Sequence, residues 1–388
     1  MKKITVGLFN DSFMPMMDGV VMVVDNYARR LSKFCNVIVF VPKYSKNFDD
    51  TKLPYKVIRC KSIKIPFLDY SMPLPMLDRQ FKKEVKKYDL DIIHIHSPFT
   101  MGTFALKLAK KNNIPVLGTM HSQFKQDFKR ALKKDFLANI LTKKIVKVFD
   151  KCTKCYAVNS GMADLYYNDY GVKEKPLVLN NATEMTYVKN KKKSINRINK
   201  LHNINESDKV FLFVGRINKL KNIMFIVDAL SILNKKELNY NYKMLFVGQG
   251  GDIKYLEHYI KKRNMQDNII LCGGVSDRKL LTDYYVRSDL FLFPSLYDAS
   301  SIVQIEAASQ KVPTVFLKGS KTSSDIIDKR NGFIAKNKRD FANVIDMAMN
   351  DEKLYKTVSE NCYKEVYQNW DNVVKDVYYK YLDYIEKR

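Results

Sequence analysis

The feature that most limits what this chain can fold into is a rhythm that runs through it twice. Short apolar runs of four to seven residues alternate with stretches of helical periodicity. In the first half the runs are ITVGLF at 4–9, NVIVFVP at 36–42, DIIHIH at 91–96, PVLGTMH at 115–121, KCYAV at 154–158 and PLVL at 176–179. Helical patterns lie near 20–33, over a basic segment near 78–88, and over 102–111. The second half repeats the scheme with KVFLFVG at 209–215, KMLFVG at 243–248, NIILCGG at 268–274, DLFLFPS at 289–295 and PTVFL at 313–317. Such runs suit strands buried on both faces, and strands separated by helices form a parallel, doubly wound sheet. Two sets in 388 residues, too many for one comfortable core, predict two α/β domains of one architecture.

The rhythm breaks at 186–207, TYVKNKKKSINRINKLHNINES, which is polar and basic and reads as a linker or a surface helix. The expected organisation is a first domain over 1–185, a basic linker over 186–207 and a second domain over 208–365. A C-terminal helix over 366–388 closes the chain and is expected to return to the first domain.

Charge is unevenly spread. The formal net charge is +26, and residues 1–207 carry 38 Lys and Arg against 18 Asp and Glu. A uniform bias would not concentrate so much of the charge there, so the first half is expected to face something anionic: nucleic acid, anionic lipid or a phosphorylated substrate. Six scattered cysteines include one CxxC, Cys152 and Cys155, without a second ligand pair for zinc. They read as reduced thiols. The opening apolar run is too short for a signal peptide, and no stretch approaches 18 uninterrupted apolar residues, so no membrane span is expected.

Ligands of open α/β sheets bind beyond the carboxyl ends of the strands. After 209–215 come Gly215, Arg216 and, five positions later, Lys221, a glycine and two cations suited to a diphosphate. A basic turn on a basic protein explains them about equally well. After 289–295 comes Asp298, then Glu306 within the next helix, whose N-terminal N–H groups suit phosphate and whose carboxylates suit sugar hydroxyls. Gly248 opens a glycine-rich turn, a weak signal by itself. Gly19 starts the first long helix. His94 and His96 on an apolar strand read as core residues, whereas His121 ends a strand where the expected crevice between the domains opens.

Taken in order, these segments resemble the family 4 retaining glycosyltransferases of the GT-B fold, in which two Rossmann-like domains face one another across a cleft. The resemblance rests on FMPMMDGV at 13–20, DIIHIHSPFTMG at 91–102, GTMHSQF at 118–124 and AVNSGMADLYYNDYGV at 157–172. It continues through FVGRINKLKNI at 213–223, FVGQGGD at 246–252, FPSLYDASSIVQIEAASQKVPTV at 293–315 and NGFI at 331–334. It implies a nucleotide-sugar-dependent hexosyltransferase that needs no metal and no cofactor beyond its UDP-sugar donor. Arg216 and Lys221 would hold the diphosphate and stabilise the departing nucleotide, with Gly215 beside them. Glu306 would bind the ribose, Asp298 the sugar hydroxyls, and Val275 in the 274–277 loop would flank the base. Gly248, Ser301, Ile302 and Val303 would complete the donor site, Gly19 would approach it from the first domain, and His121 would lie beside the anomeric centre. The family usually has Glu where Asp298 stands and often Gly where Ser301 stands. Both changes bear on which sugar is used.

Residues 124–151 carry nine Lys and Arg against three Asp, with Phe124, Phe128, Leu132, Phe136, Ile140 and Leu141 near helical spacing. That pattern predicts an amphipathic helix lying in a membrane interface, with Lys125, Lys129, Arg130, Lys133 and Lys134 against an anionic surface. The segment at 73–87, PLPMLDRQFKKEVKK, adds to it. In the family the first domain binds the acceptor, and diacylglycerol glucosyltransferases of low-GC bacteria look similar in length, opening segment and charge. The resemblance therefore implies glucose transfer to diacylglycerol, a glycolipid or a lipid-linked glycan, by a cytoplasmic protein peripheral on the inner face of the plasma membrane. Assembly of capsule, lipooligosaccharide or teichoic polymers is the alternative acceptor chemistry. Two other classes stay open on the residues: a nucleic-acid-binding protein, for which no recognition motif is present and none is expected, and an inactive sugar-binding regulator.

Overall fold

The computed structural model describes residues 3–44, 48–65 and 70–388. The chain forms two compact units, one made of Met1–Asn181 with Trp370–Arg388, the other of Ala182–Asn369.

In the first unit the strands are β1 (Thr5–Phe9), β2 (Asn36–Pro42), β3 (Lys56–Cys60), β6 (Ile92–Ile95), β7 (Val116–Met120), β8 (Lys154–Ala157) and β9 (Leu177–Val178), with a short antiparallel hairpin of β4 (Ser62–Lys64) and β5 (Ser71–Pro73). The main sheet runs β3-β2-β1-β6-β7-β8-β9, every neighbouring pair parallel. Val6, Leu8 and Phe9 of β1 are buried, as an all-parallel sheet covered on both faces requires. The helices are α1 (Gly19–Leu31), α2 (Arg79–Val85), α3 (Thr100–Asn112), α4 (Phe124–Leu132), α5 (Asp135–Phe149) and α6 (Ser160–Asp164).

The second unit contains α7 (Lys192–His202), β10 (Lys209–Val214), α8 (Ile223–Leu233), β11 (Tyr242–Val247), α9 (Ile253–Lys262), β12 (Ile269–Gly273) and α10 (Arg278–Arg287). Then follow β13 (Leu290–Phe293), α11 (Ile302–Ser309), β14 (Thr314–Leu317), β15 (Phe333–Ala335), α12 (Lys338–Asn350) and α13 (Glu352–Glu365). Its sheet is parallel in the order β12-β11-β10-β13-β14-β15. Both sheets reverse direction of growth once, beside β1 and beside β10. At such a point the loops leaving two adjacent strands diverge and open a crevice.

The last helix, α14 (Trp370–Glu386), belongs to the first unit, as a returning C-terminal helix should. It lies on α1. Trp370 meets Tyr27 edge-on at 5.8 Å, and Asp371 faces Arg30 and Lys33 at 3.3 and 3.4 Å.

The structure departs from the sequence-based expectations in several places, among them the short strands β4, β5 and β15, which no apolar run announced. Of the two readings of residues 186–207 the helix holds and the linker does not: α7 is fixed to α10 by Arg197–Asp283 at 3.0 Å, His202–Tyr284 at 2.7 Å and Arg287–Asn199 at 2.5 Å, with Ile198 and Ile204 buried. Its docking is carried mostly by polar pairs, which hydrophobic patterning does not register. Residues 124–151 are not one helix. Lys133 adopts the left-handed conformation (φ 54°) and ends α4, with its N–H donating to the Lys129 carbonyl at 2.9 Å, and α5 starts afresh at Asp135. Strand β3 falls in a segment, KVIRC, too polar to stand out as an apolar run. It is an edge strand whose side chains are only partly buried. Among the described residues no helix is long and apolar enough to cross a membrane, and the six cysteines are free.

Candidate active site

In the second unit the chain leaves β10, β11 and β12 through three loops locked edge to edge. Gly215 N–H donates to Val247 O at 3.0 Å, Ile217 N–H to Gln249 O at 2.9 Å and Gly248 N–H to Gly273 O at 2.8 Å. Gly215 and Gly248 both have φ +152°, and a Cβ on Gly248 would stand 1.8 Å from Gly215 O. A Cβ on Gly250 would stand 2.1 Å from Ile217 O. Gly248 and Gly250 are therefore required by the packing of backbone on backbone, and Gly215 by its positive φ. Gly248 has a structural reason to be glycine that is independent of any ligand.

Arg216 projects from the first of these loops into solvent and forms no hydrogen bond or ion pair among the described residues. Lys221 ends a single helical turn that is capped by Asn218. The next residue, Asn222, is left-handed (φ 58°) and donates through Nδ2 to Pro294 O at 3.2 Å, which ties the β10 loop to the β13 loop. That tie brings Lys221 to Asp298, and the two form an ion pair. Asp298 also accepts a hydrogen bond from the buried Ser295 hydroxyl at 2.5 Å.

Helix α11 starts at Ile302, and Ser301 before it gives no capping side-chain hydrogen bond. One turn in, Glu306 is buried at 3% exposure. Its Oε1 accepts from Arg278 at 2.8 Å and its Oε2 from the Tyr285 hydroxyl at 2.9 Å. Arg278 also faces Glu184 at 3.2 Å. Burial and the nearby Glu306 charge push the Tyr285 phenol well up, so it remains a donor. Arg278 and Tyr285 escaped the sequence-based search because they lie 28 and 21 residues before Glu306, on a helix that carries no site motif. Val275 and Val303 are half-buried against this unit's core.

In the first unit Gly19 is the first residue of α1, which Asp18 caps by accepting from Val21 N–H at 2.8 Å. A Cβ on Gly19 would meet nothing within 4 Å, so the chain's own packing makes no demand for glycine there. His121 follows β7, with its Nε2 3.1 Å from His96 Nδ1 and the two rings stacked at 5.3 Å. His96 stacks in turn on His94 at 4.2 Å. His94 is satisfied on both nitrogens, by the Tyr381 hydroxyl at 2.6 Å and Thr119 at 2.7 Å. His96 Nε2 is buried without a partner. Burial pushes His94 and His121 down to about 3 and His96 well below its ordinary value. All three are neutral near pH 7, so His121 offers a hydrogen bond there and not a charge.

The same unit carries the basic segment. No residue of α4 is buried, whereas α5 buries Ala138, Thr142, Ile145, Val146 and Phe149. Phe124 turns to Phe99 at 5.3 Å and to Phe128 at 6.3 Å, so those two rings are engaged within the unit. Leu132, Phe136, Leu137 and Ile140 are exposed around the α4–α5 turn, Phe136 at 73%. Lys129, Arg130, Lys133 and Lys134 are exposed around them, Lys129 facing Asp135 at 3.2 Å and Arg130 facing Asp127 at 3.4 Å. Lys125 is half-buried, with its backbone N–H on the Tyr170 hydroxyl at 3.1 Å.

Comparison with known proteins adds to this geometry. Residues 17–185 match the model of Glycosyltransferase Family 4, and residues 194–365 match that of Glycosyl transferases group 1. The alpha-monoglucosyldiacylglycerol synthase of Acholeplasma laidlawii is 26% identical over 403 residues, covering 98% of each chain. The enzyme of the same name from Streptococcus pneumoniae is 24% identical over 395 residues, covering 97% of this chain and 88% of that one. Among solved structures, the sucrose-phosphate synthase of Thermosynechococcus elongatus superposes with a TM-score of 0.81 over all of both chains at 18% identity, a likeness of fold.

Proposed function

Because this chain belongs to the GT-B glycosyltransferases, with a family 4 domain followed by a group 1 domain, we propose that it transfers glucose from UDP-glucose, with retention of configuration, to diacylglycerol or a glycolipid at an anionic membrane surface. The observation that carries the acceptor is the nearly end-to-end similarity to two proteins named as alpha-monoglucosyldiacylglycerol synthases. The donor side is supported by two cations on the β10–α8 loop, at the point where the second sheet reverses, and by a buried carboxylate one turn into α11.

On this proposal Arg216 and Lys221 take the negative charge that builds on the diphosphate as the anomeric C–O bond breaks. Lys221 exchanges Asp298 for phosphate, and the released carboxylate faces the sugar hydroxyls. The acceptor hydroxyl attacks from the side the diphosphate leaves, its proton passes to the departing phosphate oxygen, and UDP departs. No protein nucleophile is needed, and preorganised charge is the main catalytic device. His121 is neutral, so it can serve a ligand only as a hydrogen-bond donor or acceptor. Glu306 holds the ribose.

The membrane contact rests on the α4–α5 turn, where four exposed apolar side chains sit among exposed cations. Each Lys or Arg near an anionic surface contributes about 1 kcal/mol, and a buried large apolar side chain about 1.5–3 kcal/mol. These sums suit reversible attachment to the inner face of the plasma membrane. The experiment is incubation of the purified chain with UDP-glucose and diacylglycerol in anionic vesicles. A glucosylated lipid is the expected product. Turnover with glycan acceptors and none with lipid would move the proposal to capsule, lipooligosaccharide or teichoic assembly.

A further inference from the structure

Glu306 is the most deeply buried carboxylate of the proposed donor site, and a charge that deep needs a nearby opposite charge and saturated hydrogen bonding. The structure supplies two donors, one to each oxygen: Arg278 to Oε1 at 2.8 Å and the Tyr285 hydroxyl to Oε2 at 2.9 Å. Only Arg278 carries charge. A carboxylate has about four lone-pair directions, so two remain, one on each oxygen. That is the arrangement a pair of adjacent hydroxyls requires. The two donors also fix the rotation of the carboxylate, which decides where those free lone pairs point.

Arg278 is built for this place. It is the first residue of α10, directly after the 274–277 loop, and Asp277 caps that helix by accepting from Lys279 N–H at 2.8 Å. Its guanidinium spans two acids, the buried Glu306 and the more exposed Glu184, with Nε facing Glu184 at 3.2 Å and the terminal nitrogen facing Glu306 at 2.8 Å. A planar fork serves two acceptors at once, and an ammonium group on a flexible stem does so poorly.

We propose that Arg278 is a positioning residue that orients the Glu306 carboxylate for the ribose diol, and through it determines the preference for ribonucleotide over deoxyribonucleotide donors. This rests on the donor site proposed above, in particular on Glu306 as the ribose ligand.

The test compares UDP with 2′-deoxy-UDP as competitors of UDP-glucose, using the full-length protein and the variants Arg278→Met, Arg278→Lys and Glu306→Gln. In the wild type UDP binds more tightly than the deoxy compound. A hydrogen bond to a charged partner is worth about a 10- to 100-fold change in affinity, so Arg278→Met lowers UDP affinity by that factor and brings the two ligands close together. Arg278→Lys keeps part of the preference. KM for UDP-glucose rises while kcat stays within a few-fold, because the ribose contact is the same in ground and transition states. A variant that merely loosened the fold would lower affinity for both nucleotides alike.

If both Arg278 variants keep the wild-type preference while Glu306→Gln loses it, the role of Arg278 is overturned and the donor site stands. If Glu306→Gln also keeps it, or the wild type shows none, the assignment of Glu306 to the ribose fails. If Arg278→Met does not fold, Arg278→Lys decides: an unchanged preference overturns the proposal, and a reduced one supports it.

Discussion

Arg216 and Gly248 sit on neighbouring loops and answer to different demands. Arg216 makes no contact that folding needs, so Arg216→Ala should leave the unfolding midpoint in place and lower kcat about 10²- to 10³-fold, the usual cost of removing one preorganised donor to a developing charge. Lys221→Ala should lower it similarly. Equal kcat in a folded variant would remove these cations from the chemistry. Gly248→Ala is the opposite case. Its Cβ would run into Gly215 O, so the second unit should lose about 2–4 kcal/mol of stability in denaturant titration; an unshifted midpoint would contradict the loop packing. The histidines make a third prediction. In the folded chain burial keeps His94 and His121 neutral to about pH 3 and holds His96 well below its ordinary value, while in the unfolded chain all three protonate near pH 6.5. Between those values the unfolded chain binds protons that the folded chain does not, so stability falls as pH falls, by up to about 1.4 kcal/mol per pH unit for each histidine. Trp370, the single tryptophan, is buried beside Tyr27 and reports the unfolding of this unit. His96→Phe should flatten the pH slope between pH 6.5 and 5, and parallel slopes would refute it. At this scale the sequence pointed to Arg216, Lys221 and Glu306, because each follows the carboxyl end of a strand. It hid Arg278 and Tyr285, whose importance comes from a contact across two helices.

Among the elements, the α4–α5 pair best illustrates what patterning captures and what it misses. Lysines interleaved with apolar residues correctly signalled an amphipathic segment. The break at Lys133 was hidden, because a left-handed lysine has no sequence signature comparable to glycine. The break matters, since it gathers Leu132, Phe136, Leu137 and Ile140 at one tip instead of spreading them along a stripe. Phe136→Ser should therefore weaken binding to anionic vesicles about 10-fold or more, measured by co-sedimentation, and leave hydrolysis of UDP-glucose without acceptor unchanged. Undiminished sedimentation would show that this tip does not enter the membrane. Helix α7 is the converse case, a polar segment that patterning left as a linker or a surface helix and that side-chain hydrogen bonds fasten to α10.

Over the whole molecule, the twofold strand-helix rhythm led directly to two parallel sheets with the strand order of doubly wound folds. Architecture was legible because buried parallel strands read as unbroken apolar runs, and the strands that escaped were short or polar ones, the edge strands β3 and β15 and the β4–β5 pair. The excess of positive charge in residues 1–207, net +20, sits in the part of the chain that carries the exposed apolar tip. The central claim joins that surface to the donor site: one chain takes glucose from UDP-glucose and places it on a lipid without inverting it. The most direct measurement is the NMR spectrum of the product formed from UDP-glucose and diacylglycerol in anionic vesicles. The expected product is a glucosyl-diacylglycerol with the small anomeric coupling of an α-glucoside. A β-linked product, or a lipid left unglucosylated while the enzyme turns over UDP-glucose onto another acceptor, would contradict it.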